Sequence, residues 1–151
     1  MDLETLEAEF AALVFPAFTE QTALHLGLSV VEMARAQAMP IVVNIRTPDR
    51  VLFHCALPGS AAINDNWARR KSNTALLFQA PSLLVQKRLE AKGEDIARHG
   101  LSPADYATNG GAVTIRTAAA GVVACVTVSG LPQVEDHRLA VAAIRAVLGR
   151  V

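Results

Sequence analysis

IVVNIRT, Ile41 to Thr47, and VLFHCAL, Val51 to Leu57, are separated only by Pro48-Asp49-Arg50. Both runs are short and rich in β-branched or aromatic residues, and the proline and aspartate between them supply turn geometry, so the segment predicts a β-hairpin. Pro58-Gly59-Ser60 closes it. A strand that returns at once as its own antiparallel neighbour decides the class of fold: helices must pack on this sheet rather than alternate with its strands. AVTIRT (112–117) and VVACVTVS (122–129), around AAAG, read as a second such pair.

Outward from the hairpins the periodicity is helical. Leu3, Leu6, Phe10, Leu13 and Val14 recur at three- and four-residue steps, which predicts an amphipathic helix over 2–15 that Pro16 interrupts. A second helix over 19–38 carries Leu24, Leu28, Val31 and Ala34 on one stripe, with Thr19 as its cap. Residues 62–79 return to helical spacing, and another helix follows Pro81, with Ser82 inside its start and Gly93 near its end. GLSPADYATNGG (100–111) reads as a loop with one helical turn after Ser102, and the last helix runs from Pro132 to Leu148. Pro132 suits a first helical position, where a missing N–H costs nothing.

No repeat, linker or low-complexity stretch divides the chain, so 1–151 is expected to be a single α/β (α+β) domain: N-terminal helices over 2–38, then sheet and helices over 40–148. A doubly wound dinucleotide fold is disfavoured, because strands do not alternate one for one with helices and no GxGxxG occurs. Fourteen Lys plus Arg balance fourteen Asp plus Glu. Zero net charge argues against a general nucleic-acid or membrane-surface binder and makes self-association plausible. The longest apolar windows are broken by charges before membrane-spanning length, the N-terminus MDLETLEAEF lacks the features of a signal peptide, and Cys55 and Cys125 stand alone in apolar runs. A reduced, cytoplasmic setting is the expectation.

Three stretches could carry chemistry. In SGLPQVEDH, Ser129 to His137, Gly130 lets the chain turn sharply into a helix whose free N–H groups can hold an anion. The plainer reading is that Glu135 and Asp136 complement the helix dipole while His137 packs at its edge. Asp136 and His137 lie about 100° apart around the helix, which argues against a direct dyad, and Ser129 sits in no GxSxG elbow. In NDNWARRKSNT, Asn64 to Thr74, the pairs Trp67/Lys71 and Arg70/Thr74 are each four apart and share a helix side. That segment reads either as a ligand-facing or subunit-contact patch, or as a core tryptophan beside a solvated basic face. TNGG, Thr108 to Gly111, permits close backbone approach. His25, His54, His99 and His137 show no metal-ligand spacing, and the alternation of its strand sets His54 apart from Phe53 and Cys55.

Asn64-x-x-Trp67-x-x-Arg70-Lys71, Gly110-Gly111-Ala112-Val113 and Val128-Ser129-Gly130-Leu131-Pro132-Gln133 with Asp136-His137 together resemble the GlcG/HbpS-like superfamily, often labelled "heme-degrading domain". The resemblance implies a profilin-like domain, an antiparallel sheet of about five strands flanked by helices. It also implies homo-oligomers and, in some members, heme as a ligand. The expectation is an oligomeric binding module without an assigned catalytic residue or metal. Its site for a small anion, or its subunit contact, is drawn from Asn64, Trp67, Arg70, Lys71, Gly110, Gly111, Ser129, Gly130, Leu131, Asp136 and His137. Arg70 and Lys71 would pair with a carboxylate or phosphate, and Asp136 would orient Arg70 or His137. A heme-handling protein and a structural adaptor are the alternatives.

Overall fold

The computed structural model describes residues 1–149. Its elements are α1 (Leu3–Ala12), α2 (Glu20–Ala36), β1 (Val42–Arg46), β2 (Val51–Ala56), α3 (Ala62–Phe78), α4 (Ser82–Ala91), a 3-10 turn (Ile96–His99), β3 (Ala112–Thr117), β4 (Gly121–Ser129) and α5 (Gln133–Leu148). Both hairpins form where the turn chemistry puts them, and β1 then pairs with β4, so the antiparallel sheet runs β2-β1-β4-β3. The described residues form four strands rather than about five. Beside β3 the next position is taken by a single parallel bridge, Phe15 to Thr117, with Phe15 N donating to Arg116 O at 2.8 Å. That bridge is also why α1 stops at Ala12, short of the predicted Phe15 end: the chain leaves the helix to join the sheet.

Local signals set the other boundaries. Thr19 caps α2, its hydroxyl accepting from Thr22 N while Thr22 Oγ1 accepts from Thr19 N. Pro132 stands one residue ahead of the first helical position, in extended geometry (φ −53, ψ 145), and its carbonyl accepts the first bond of α5 from Asp136 N at 3.0 Å. Tyr106 N donates to Ser102 O at 3.0 Å, the single turn expected there.

Strand alternation gives the sheet two unlike faces. Val43, Ile45, Val113, Ile115, Ala124, Val126 and Val128 point to one side, where they pack with Leu26 and Val30 of α2 and Ala140 and Ile144 of α5. Each such fully buried aliphatic side chain stabilises by about 1.5–3 kcal/mol. Gly27 is required in α2, because a Cβ there would enter the Phe53 ring of β2. The opposite side presents Ala112, Cys125, Thr127 and Ser129 to α3. There Ser72 Oγ donates to Ala68 O at 2.7 Å, so the Thr127 hydroxyl, also 2.7 Å away, donates to Ser72.

Candidate functional site

At the end of the polar face a pocket of about 240 Å³ opens between α3, the loop before β3 and the turn from β4 into α5. Asn64, Trp67 and Lys71 contribute the α3 wall, because steps of three and four residues bring them onto one side. Asn109 and Gly110 come from the loop, Ser129, Gly130 and Leu131 from the end of β4, and Gln133 and Asp136 from the first turns of α5. Gly130 (φ 140) makes the turn, and a Cβ on it would strike Pro40 O and the Ile41 backbone.

The wall is held by Lys71, which is only 2% exposed. Its Nζ donates to Gly110 O at 3.0 Å, Val128 O at 2.7 Å and Asp136 Oδ2 at 3.1 Å, which uses all three hydrogens of an ammonium. Asp136 Oδ1 accepts from Leu131 N at 2.9 Å. Burial draws the Lys71 pKa down and pushes that of Asp136 up, and the attraction between them opposes both shifts. Lys71 therefore ties α3 to three other segments, the loop before β3, β4 and α5, beside the pocket. Gly111 (φ 137) sits behind it, where a Cβ would collide with Lys71 Nζ and Val128 O.

Of the residues singled out in the sequence, Asn64, Trp67, Lys71, Gly110, Ser129, Gly130, Leu131 and Asp136 lie together on the wall. Arg70 does not. It leans over the Trp67 ring at 4.3 Å and its Nε donates to Pro103 O at 2.8 Å, which places the guanidinium at the rim. His137 is fully buried and faces away, with Nε2 2.5 Å from Glu9 Oε1 of α1. Asp136 orients neither Arg70 nor His137, a correction to the sequence reading: its neighbour along the helix points elsewhere, and the buried lysine outcompetes the rim arginine for its carboxylate. Two lining residues escaped that reading, Asn109 and Gln133. Gln133 lies inside the conspicuous motif, yet its role appears only when Gly110 N, 2.9 Å from its Oε1, is seen beside it.

No histidine, cysteine, methionine or tyrosine lines the pocket, so its wall does not fit the usual axial ligation of heme iron. His54 is engaged on both nitrogens, with Asn44 at 3.2 Å and Asp65 at 3.0 Å. Among the described residues no three potential metal ligands gather, and no helix is long and apolar enough to cross a membrane.

Residues 18–145 match the family described as "Haem degrading protein HbpS-like". A UPF0303 protein of Streptomyces coelicolor is 45% identical over 147 residues, 95% of this chain and 92% of that protein. The crystal structure of Ybr137w protein superposes with a TM-score of 0.88 at 31% identity, covering 98% of this chain and 88% of that one. A double mutant of Streptomyces reticuli HbpS gives 0.71 at 25% identity over 87% of each chain.

Proposed function

The chain belongs to the HbpS-like family, and from that premise we propose that it is a binding module holding a small anionic ligand in the pocket at the start of α5. The observation that carries this reading is the pairing of an open helix start with a rim cation. No side chain caps α5, so its first N–H groups are left without a capping partner beside the pocket, while Glu135 and Asp136 in the first turn offset the helix dipole. Arg70 stands at the other lip, stacked on Trp67, and among the described residues its Nη groups make no hydrogen bond. At about 240 Å³ the space falls below the roughly 300–1,000 Å³ of drug-sized sites, which favours a small ligand. The proposal is binding without catalysis, since Lys71 and Asp136 are occupied with each other and supply no free base beside Ser129. Self-association belongs to the same proposal: Leu24 and Leu28 lie one turn apart on α2 and are about half exposed, as is Val51 on the edge strand. A reducing, cytoplasmic setting fits two free cysteines.

Trp67 is the only tryptophan, so its fluorescence reports on the pocket. Titration with small carboxylates and phosphate should give a saturable change, and Arg70→Ala should weaken it about tenfold without altering the fold. Equal affinity in a well-folded Arg70→Ala protein would remove the rim cation from the reading. The second reading, heme handling, rests on the family description. A saturable, stoichiometric Soret shift on adding hemin would bring it forward, whereas a titration no different from that of an unrelated protein would end it.

A further inference from the structure

Donor and acceptor roles on the pocket wall are fixed by bonds made behind it. Asn64 Oδ1 accepts from Ala61 N at 2.9 Å, and Gln133 Oε1 accepts from Gly110 N at 2.9 Å and Gln86 Nε2 at 3.1 Å. A backbone N–H can only donate, so neither amide can be flipped, and the NH₂ end of each is what remains for a ligand. The Trp67 indole N–H is likewise a donor only. The strong acceptors are engaged internally: Asp136 accepts from Leu131 N and Lys71 Nζ, and the carbonyls of Gly110 and Val128 each accept from Lys71.

One hydroxyl on this wall makes no hydrogen bond within the described residues. It belongs to Ser129, which is 4% exposed and lines the pocket. The hydroxyl is open to the pocket, where it can donate to a ligand. The charge balance narrows the ligand further. Lys71 and Asp136 cancel, so the interior is neutral, and only Arg70 at the rim adds a positive charge.

Resting on the anion reading above, we propose that the pocket takes the carboxylate of a small organic acid in preference to a phosphate. A carboxylate brings one charge and acceptor oxygens alone, which matches amide, indole and hydroxyl donors at an open helix start. A phosphate in its dianionic form brings a second charge, with no buried cation free to balance it. Trp67 and Leu131 supply apolar surface for the body of the acid. The ligand is thus held by neutral donors, with the buried ion pair acting as the support of the wall rather than as the binding charge.

The test is a titration of the whole protein, followed by Trp67 fluorescence and calorimetry, with acetate and lactate against inorganic phosphate, acetamide and lactamide at constant ionic strength. The acids are expected to bind and the other compounds to bind at least about tenfold more weakly. Asn64→Asp and Gln133→Glu keep the oxygen that accepts from the backbone but replace the donor end with a charge. Each should weaken lactate about tenfold or more at unchanged circular dichroism. Phosphate binding as tightly as lactate overturns the carboxylate assignment while leaving the anion reading intact. Lactamide matching lactate, or no saturation with any compound, overturns both. Unchanged lactate affinity in folded Asn64→Asp overturns the donor argument, and the wild-type panel decides the class by itself if a variant does not fold.

Discussion

On one side of the sheet Val43, Ile45, Val113, Val126 and Val128 join residues of α2 and α5 in one apolar cluster. On the other, Thr127 of β4 meets Ser72 of α3 hydroxyl to hydroxyl, and the layer ends in the Lys71–Asp136 pair. A strand points successive side chains to opposite faces, so a single sequence can serve stability on one side and carry chemistry on the other. The difference teaches where each kind of substitution acts. An apolar face loses stability roughly in proportion to the volume removed, whereas a polar face loses it according to which partner is left alone.

The largest effect should come from Lys71→Met, which leaves Asp136 buried without its cation and is expected to cost about 3–5 kcal/mol in urea unfolding. Adding Asp136→Leu should restore most of that loss, because replacing both partners removes the stranded charge. A single variant as stable as the wild type would erase the contrast between the faces. Leu26→Ala, on the apolar side, is expected to cost about 2–5 kcal/mol, yet ligand affinity measured through Trp67 should be unchanged in the folded protein. A parallel loss of affinity would show that the faces are coupled.

The pH dependence sharpens the same contrast. The folded Asp136 has a pKa raised above 3.8 by burial, so in the window just above 3.8 the folded state holds more protons and this group's contribution falls as pH rises. Lys71 is lowered from 10.5, so in the window below 10.5 its contribution rises with pH. Both slopes should disappear in the Lys71→Met, Asp136→Leu protein when melting temperature is followed across pH. The smallest effect is expected at the surface, where Arg88 holds the Glu7 carboxyl below 4.5. That contribution is present above 4.5 and lost as pH falls through the lowered value. Glu7→Gln should therefore melt slightly earlier at neutral pH and match the wild type in strong acid.

The elements themselves were legible because their signals are local. Alternation and turn residues mark the hairpins, Thr19 marks the start of α2, and the Gly130-Leu131-Pro132 turn marks the entry to α5. The site was legible in part: eight of its residues stand out by type and spacing, while Arg70, equally conspicuous, stacks outside the wall on Trp67 and His137 faces away. Spacing on a helix says which residues share a side, not which side a distant segment will cover.

What the sequence by itself determined is therefore the set of helices and strands, the antiparallel pairing inside each hairpin and the small-residue turn into the last helix. Only the tertiary structure decided that β4 lies beside β1, that Lys71 meets carbonyls 39 and 57 residues away and a carboxylate 65 away, and that Asn64 and Gln133 turn their oxygens backward. The reason is physical. Propensity and turn chemistry act within a few residues, but whether a polar atom is free to bind a ligand depends on the partner that packing brings to it, and that partner comes from elsewhere in the chain.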